Sequence, residues 1–296
     1  MRVFFLINQG RRTAPVPPAR MDAFRAAFDA AGVEAEIVPC HGADRVPALV
    51  ERARAEGFDT LFVGGGDGTV NLLLNLTHGT GLTLGVVPMG TVNAFARSFA
   101  TPRRPEDAVA RLLRAPVVSM DAGRVNGRLF LCFASVGYDA AVVHDVALGE
   151  AKRRLGRLAF AWCAVRGAAT PGRLARFEVR ADGQEPEAGH SLLLSNVRNY
   201  AGADLFPGAR PDSGTMEMVL FRAAGALPVW QWAATALARG GGVSARRVAR
   251  LTVRSERPLF VQLDGEPVTL DDPCRLEFEV LPGAARVLLP GRPEKE

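Results

Sequence analysis

Asp59-Thr60-Leu61-Phe62-Val63-Gly64-Gly65-Gly66-Asp67-Gly68-Thr69-Val70-Asn71, running into Leu72-Leu73-Leu74-Asn75-Leu76, is the stretch on which the fold turns. Leu61, Phe62 and Val63 make a short apolar run suited to a strand buried on both faces, and the glycines end it abruptly. Four glycines fall in the five positions 64 to 68. A loop so poor in side chains lets a bulky anion approach the backbone, so that successive N–H groups converge on a phosphate. The helix that opens near Thr69 adds its N-terminal donors and dipole. Asp67 would repel a phosphate unless a cation or a transferable proton lies between them, which points to Mg²⁺ chemistry. A dinucleotide fingerprint would need glycine where Thr69 stands, and no Gly-Lys-Ser/Thr of a Walker A loop occurs anywhere in the chain.

The same strand, loop, helix pattern recurs on either side. Val3 to Ile7 reads as a strand ending at Asn8-Gln9-Gly10-Arg11-Arg12, with prolines delaying the helix to about Arg20. Val33 to Val38 is the next strand, and Leu82 to Val87 runs into Pro88-Met89-Gly90-Thr91-Val92-Asn93-Ala94-Phe95-Ala96-Arg97. In an open α/β sheet the loops after the strand carboxyl ends share one edge, so Asn8, the 64–71 loop and the 90–93 loop are expected to line one cleft. From Ala122 the pattern changes to short alternating strands, the first pair, Gly123–Val125 and Arg128–Ala134, joined by the hairpin turn Asn126-Gly127. Further strands are read at 177–180, 191–195, 216–221, 249–255, 259–263, 275–280 and 285–289, with helices at about 140–169 and 228–239. The expectation is two domains: residues 1–121, α/β and nucleotide-binding, and 122–296, an antiparallel β-sandwich whose last strand returns to the first domain, with the active-site cleft between them.

With 296 residues, about half of them apolar, the chain can bury a large core. No apolar stretch reaches the roughly 18–20 residues of a membrane span, and Met1-Arg2 leads straight into a strand pattern with no signal-peptide logic, so a cytoplasmic protein is expected. Cys40, Cys132, Cys163 and Cys274 form no Cys-x-x-Cys pair, and His41, His78, His144 and His190 have no metal-ligand spacing. There is no Gly-x-Ser-x-Gly elbow. The formal charge of +5 favours acidic partners such as nucleotide phosphates or anionic lipid headgroups. Basic Lys152-Arg153-Arg154-Leu155-Gly156-Arg157 and apolar Pro228-Val229-Trp230-Gln231-Trp232 suggest transient attachment to a membrane surface.

The glycine loop, the Pro88–Arg97 segment, the block from Met120 to Ala140, Leu263-Asp264-Gly265-Glu266-Pro267 and the closing Leu281–Pro290 together resemble the diacylglycerol kinase catalytic-domain family of lipid kinases over nearly the whole chain. The resemblance implies a two-domain enzyme that transfers phosphate from ATP, with Mg²⁺, to a primary hydroxyl of a diacylglycerol-, ceramide- or sphingoid-type lipid. Partners would be ATP and a lipid at the membrane surface, with room for a homodimer and no nucleic acid. It further implies a nucleotide site of Asn8, Gly10, Arg11, Gly65, Gly66, Asp67, Gly68, Thr69, Asn71, Gly90, Thr91 and Asn93, with Asp67 near the metal-bound phosphates, Glu266 as catalytic base and Asp264 as its polar companion. Asp67 is the competing candidate for the base.

Three departures stand out. Gln9-Gly10-Arg11-Arg12 follows Asn8 where the family usually has a proline after the Asn and a Ser-Gly further on, so that Arg11 or Arg12 would neutralise phosphate charge. Val92 and Ala94 stand where relatives carry Gly and Asp. Ser213 stands where some bacterial members have an Asp that ligates a structural Mg²⁺, with Asp212 one residue early, so that second metal is not expected. Two other readings stay open: a kinase of a soluble substrate such as NAD, since such enzymes use a similar Gly-Gly-Asp-Gly loop, and a lipid-binding regulatory protein without catalysis.

Overall fold

The computed structural model describes residues 1–9, 15–148, 175–200, 203–225, 227–238 and 245–291. Gly10, Arg11, Arg12, the basic run Lys152–Arg157, Cys163 and most of the helix expected over 140–169 lie outside the described residues. The chain divides into two compact units. Met1–Met120 and the chain from Gly283 onward form the first, and Asp121–Pro282 the second.

In the first unit, β1 (Arg2–Gln9), β2 (Glu34–His41), β3 (Thr60–Gly65) and β4 (Thr83–Pro88) are parallel in the order β2-β1-β3-β4. Helices α1 (Pro18–Ala30), α2 (Val46–Ala55), α3 (Asp67–Thr77), α4 (Ala94–Ser98) and α5 (Pro105–Leu112) make the connections. Both β3 and β4 are buried at every residue, as their unbroken apolar character requires. Strand alternation sends Val3, Phe5 and Ile7 to one face of the sheet, where Phe24 and Phe28 of α1, Phe62 of β3, and Val109 and Leu112 of α5 join them. The Phe5 and Phe24 rings meet edge to face at 5.0 Å. On the opposite face Phe4 packs edge-on against Phe58 at 5.3 Å, under the guanidinium of Arg52 from α2. Helix α1 starts at Pro18, two residues before the position expected, because a proline at the first helical position sacrifices no hydrogen bond.

The second unit is a sandwich of two antiparallel layers. One has the order β14-β13-β10-β7-β16-β17, formed by Arg246–Val248, Met216–Phe221, Ser191–Ser195, Phe133–Gly137, Val261–Leu263 and Glu266–Val268. In the other, β9 (Glu187–Gly189) and β8 (Phe177–Ala181) lie beside β15 (Arg250–Ser255) and the start of β18 (Arg275–Leu288), with the hairpin of β5 (Val117–Val125) and β6 (Arg128–Phe130) added to β18. Val136, Leu192 and Met218 from the first layer meet Phe177, Val253 and Phe278 from the second in one apolar core. Short strands β11 (Asn199–Tyr200) and β12 (Ala203–Asp204) pair with each other, and helices α6 (Tyr138–Leu148) and α7 (Leu227–Ala238) complete the unit.

Two strand expectations are corrected. The segments 275–280 and 285–289 form one strand, because Pro282-Gly283 marks a change of partner rather than a turn. Up to Glu279 the strand pairs with β15, and at Arg286 and Val287 it pairs parallel to β4. Gly283 supplies a positive φ of 62° at the crossover. Conversely 128–134 is two strands, interrupted at Leu131-Cys132, where the backbone N–H groups turn to the Asp264 carboxylate in the hairpin after β16. Asn126-Gly127, with φ of 43° and 84°, forms the expected two-residue turn between β5 and β6.

Candidate active site

In the first unit the carboxyl ends of β1, β3 and β4 reach the same sheet edge, with Ile7 beside Gly64 and Gly65 beside Pro88. The glycines there are packed against what surrounds them. A Cβ on Gly65 would stand 2.8 Å from Cβ of Thr69, and one on Gly90 would stand 2.5 Å from the backbone Cα of Gly66. The two loops therefore touch backbone to backbone. Met89 N–H donates to the Gly65 carbonyl at 3.0 Å, which fixes their relative height.

Side chains tie the edge together. Asn8 donates through Nδ2 to Thr69 Oγ1 at 3.1 Å, and its Oδ1 lies 3.8 Å from Cys40 Sγ. Burial pushes the Cys40 thiol pKa up, so it sits there as a thiol. Asn93, left-handed at φ 52°, brackets Gly90 by accepting its N–H at 2.9 Å and donating to its carbonyl at 2.8 Å. Helix α3 begins at Asp67 with Gly66 as its cap, so its first-turn N–H groups and dipole point to this edge. Phe95 N–H lies 3.4 Å from Asp67 Oδ1. Asn71 sits one turn along α3 and accepts at Oδ1 from Asn75 at 3.3 Å, while Thr91 is exposed at the tip of the second loop. The structure thus brings together Asn8, Gly65, Gly66, Asp67, Gly68, Thr69, Gly90 and Asn93.

The donor set limits the metal chemistry. Among the described residues no group of three or more His, Cys, Asp or Glu side chains could hold a metal ion. The Asp67 carboxylate at a glycine-lined helix N-terminus fits Mg²⁺ that arrives with a nucleotide, since that ion is commonly bound by one or two carboxylates plus substrate phosphates and water. Where some relatives have the ligand of a second metal, this chain has a serine. Ser213 Oγ lies 2.9 Å from the Arg210 carbonyl and 3.1 Å from that of Thr215, and Asp212 lies 3.5 Å from the Arg210 guanidinium.

Asp264 and Glu266 lie in the second unit. Asp264 and Gly265, with φ of 52° and 85°, form the two-residue turn between β16 and β17, and Leu263 pairs with Glu266 across it. The Asp264 carboxylate is buried and accepts the backbone N–H groups of Leu131 at 2.9 Å, Cys132 at 2.7 Å and Phe133 at 3.1 Å. Those three bonds are what divide β6 from β7. Asp264 is therefore an anchor of the turn, while Glu266 is half-buried and, among the described residues, receives no hydrogen bond on its carboxylate.

The sequence reading missed Gln262 and Asp139. Gln262 is fully buried on β16; its Oε1 accepts Gly265 N–H at 2.8 Å and its Nε2 lies 3.4 Å from Asp139 Oδ2. A glutamine between Val261 and Leu263, two residues before an Asp-Gly turn, was the available signal.

The sequence comparisons agree with this architecture. Residues 3–125 match the "Diacylglycerol kinase catalytic domain" family and 132–289 the "YegS C-terminal NAD kinase beta sandwich-like domain" family. The chain belongs to the YegS-like lipid kinases of the diacylglycerol kinase family. A "Probable lipid kinase YegS-like" of Pseudomonas aeruginosa is 35% identical over 82% of this chain and 80% of that protein. Its namesake in Pseudomonas fluorescens is 30% identical over 88% and 87%. A crystal structure from Bacillus anthracis, described as a diacylglycerol kinase, superposes with a TM-score of 0.76 at 21% identity, covering 97% of this chain and 96% of that one, and so supports the shared fold. The chain is thus a transferase of the kinase class, with an α/β first domain and a β-sandwich second.

Proposed function

We propose that this kinase transfers the γ-phosphoryl group of ATP to a primary hydroxyl of a membrane lipid of the diacylglycerol, ceramide or sphingoid type. The observation that carries this reading is the back-to-back packing of Gly66 and Gly90, which with Asn8, Thr69 and Asn93 makes a rigid, side-chain-poor cradle at a helix N-terminus. Gly65 to Thr69, with Gly90 and Asn93, bind and orient the nucleotide phosphates; Arg11 would add positive charge. Asp67 would hold Mg²⁺, which when bound neutralises charge on the phosphate oxygens. Glu266 accepts the proton of the lipid hydroxyl as its oxygen attacks phosphorus, and Asp264 fixes the turn from which Glu266 projects. The assignment of the base to Glu266 rather than Asp67 rests on the family resemblance of residues 263–267, and is supported by the Glu266 carboxylate's lack of a hydrogen bond among the described residues.

A soluble acceptor such as NAD is the second reading, favoured by the description of the matched sandwich domain as NAD kinase-like. Labelled ATP offered with a total lipid extract, and separately with NAD, separates the two: the lipid reading expects label in a lipid identified by mass, and label in NAD alone overturns it. Replacing Glu266→Gln should lower turnover by about 10²- to 10⁴-fold with little change in ATP affinity. Full activity in that variant, with Asp67→Asn dead but still binding Mg-ATP, would move the base to Asp67.

Access to a lipid acceptor implies contact with a bilayer surface. Leu227 and Trp230 at the start of α7 are 64% and 42% exposed, whereas Trp232 turns inward onto Phe206 and Phe221. Among the described residues no helix is long and apolar enough to cross a membrane. Co-sedimentation with vesicles should therefore weaken in a Leu227→Ser/Trp230→Ser variant; equal binding would remove α7 from the contact.

A further inference from the structure

Beneath the turn that carries Glu266 lies a cluster of buried polar side chains. Val261 and Leu263 of β16 point into the apolar core, so by strand alternation Gln262 points to the opposite face, against which α6 packs. Ser135 of β7 stands directly across from Gln262 in the ladder, and Asp139 comes from the first turn of α6. Ser135 donates to Asp139 Oδ2 at 2.6 Å, and Tyr200, also buried, donates to the same carboxyl group. Desolvation raises the Asp139 pKa despite these donors.

This arrangement decides which way the Gln262 amide faces. The group of Gly265 that faces it is the N–H, so the amide presents its oxygen to the turn, and its NH₂ then needs an acceptor. Asp139 is that acceptor. The turn is consequently held from two directions: Asp264 reaches to the 131–133 backbone and Gln262 to the Gly265 N–H, one residue before Glu266. The β16–β17 ladder holds Leu263 against Glu266, and the Gln262 side chain adds a hold on the Gly265 N–H at the tip between them; small displacements of a positioned base are costly in rate.

We propose that Gln262, its amide oriented by Asp139, is a positioning residue that sets the Gly265 peptide and through it the carboxylate of Glu266. The inference rests on the assignment of Glu266 as base, and a double-mutant cycle separates the two. Turnover is read with labelled ATP and a total lipid extract in mixed micelles. Gln262→Leu, which keeps the bulk and removes both polar ends, should lower kcat by about 10- to 100-fold while the KM for ATP stays within about twofold. In a Glu266→Gln background the same change should cost less than about threefold, because the base it positions is gone. Gln262→Glu sets a second carboxyl against Asp139 and should also be impaired. Adding Asp139→Asn to it restores one donor facing one acceptor, and should return kcat to within about threefold of the parent.

Unchanged kcat in Gln262→Leu, or an equal loss with and without Glu266, overturns the inference while leaving the base assignment standing. Full activity of Glu266→Gln alone overturns both. Should Gln262→Leu fail to fold, the paired Gln262→Glu/Asp139→Asn variant decides by the same readout: rescue supports the inference, and no rescue at native melting temperature overturns it.

Discussion

Gly90→Ala tests the contact on which the nucleotide cradle depends. A methyl group at position 90 would meet the Gly66 Cα at 2.5 Å and Asn93 Oδ1 at 2.9 Å, and the first of these is backbone that cannot rotate away. Gly90 is not among the residues with positive φ, so the penalty is steric overlap rather than backbone strain. Forced overpacking of this kind costs about 1–3 kcal/mol. At roughly 2–4 °C per kcal/mol for a domain of this size, the melting temperature should fall by about 2–12 °C. If the separated loops forfeit a similar energy in nucleotide binding, the KM for ATP rises by on the order of tenfold, each 1.4 kcal/mol being about a factor of ten. Gly66→Ala is the internal control. Its methyl would lie 3.4 Å from the Gly90 Cα, an ordinary contact, at a φ of −95° that alanine accepts. Its melting temperature should match or slightly exceed the parent's, while its KM for ATP rises because the methyl stands where the phosphates approach. Differential scanning fluorimetry and initial-rate kinetics read both quantities. A Gly90→Ala protein with parental stability and KM would refute the packing argument, and a parental KM in Gly66→Ala would refute the placement of the phosphates.

Asp264→Asn should cost about 1–3 kcal/mol, because an amide can accept at only one of the two oxygens that now serve Leu131, Cys132 and Phe133; a melting temperature within about 1 °C of the parent, below the roughly 2 °C that is the smallest shift that scale allows, would deny the anchor role. Glu217 has its pKa raised by burial, and among the described residues its Oε2 has no hydrogen-bond partner. A folded-state pKa above the unfolded one contributes stability that is complete below the unfolded value and lost as pH rises through the folded one, so Glu217→Gln should gain on the parent as pH climbs above the ordinary carboxylate range, and a melting-temperature difference independent of pH would count against it. Ser213→Ala should lose about 0.5–1.5 kcal/mol, and EDTA should leave the melting temperature of the nucleotide-free parent unchanged; a fall on chelation would reveal a structural metal.

The first domain was readable because its signals are local. Glycines 64 to 66 end β3, Gly66 caps α3, and continuous apolar runs mark β3 and β4 as strands buried on both faces. What escaped the sequence depends on partners far along the chain. Asp264 serves N–H groups about 130 positions earlier, so the break between β6 and β7 could not be seen in residues 128–134 themselves. The pattern of 275–289 reads as two strands because the change of pairing from β15 to β4 is invisible in a local pattern. Helix α5 was overlooked although Pro105 at its first position and the apolar Ala108, Val109 and Leu112 are the usual marks of a packed helix. Asp139 looked like an ordinary residue near a helix start, and only the fold brings Ser135, Tyr200 and Gln262 to it.

Asp67 gives the cradle an electrostatic sign that its glycines conceal. At the first position of α3 a carboxylate is favoured by the helix dipole, by about 0.3–1 kcal/mol, so it suits the empty fold. Toward a nucleotide phosphate it is unfavourable: like unit charges about 4 Å apart cost about 1 kcal/mol in water and about 4 kcal/mol at an effective dielectric constant of 20. Neutralising the carboxylate should therefore act oppositely on two quantities that usually move together. Asp67→Asn should bind metal-free ATP more tightly than the parent, by roughly fivefold or more if the lower figure applies, and should gain little or nothing from added Mg²⁺. The parent should bind metal-free ATP poorly and Mg-ATP well. Isothermal titration with and without Mg²⁺ gives all four affinities without reference to any lipid. If Asp67→Asn weakens metal-free ATP binding as much as it weakens Mg-ATP binding, the carboxylate supports the loop's shape rather than a cation, and Mg²⁺ must be held elsewhere.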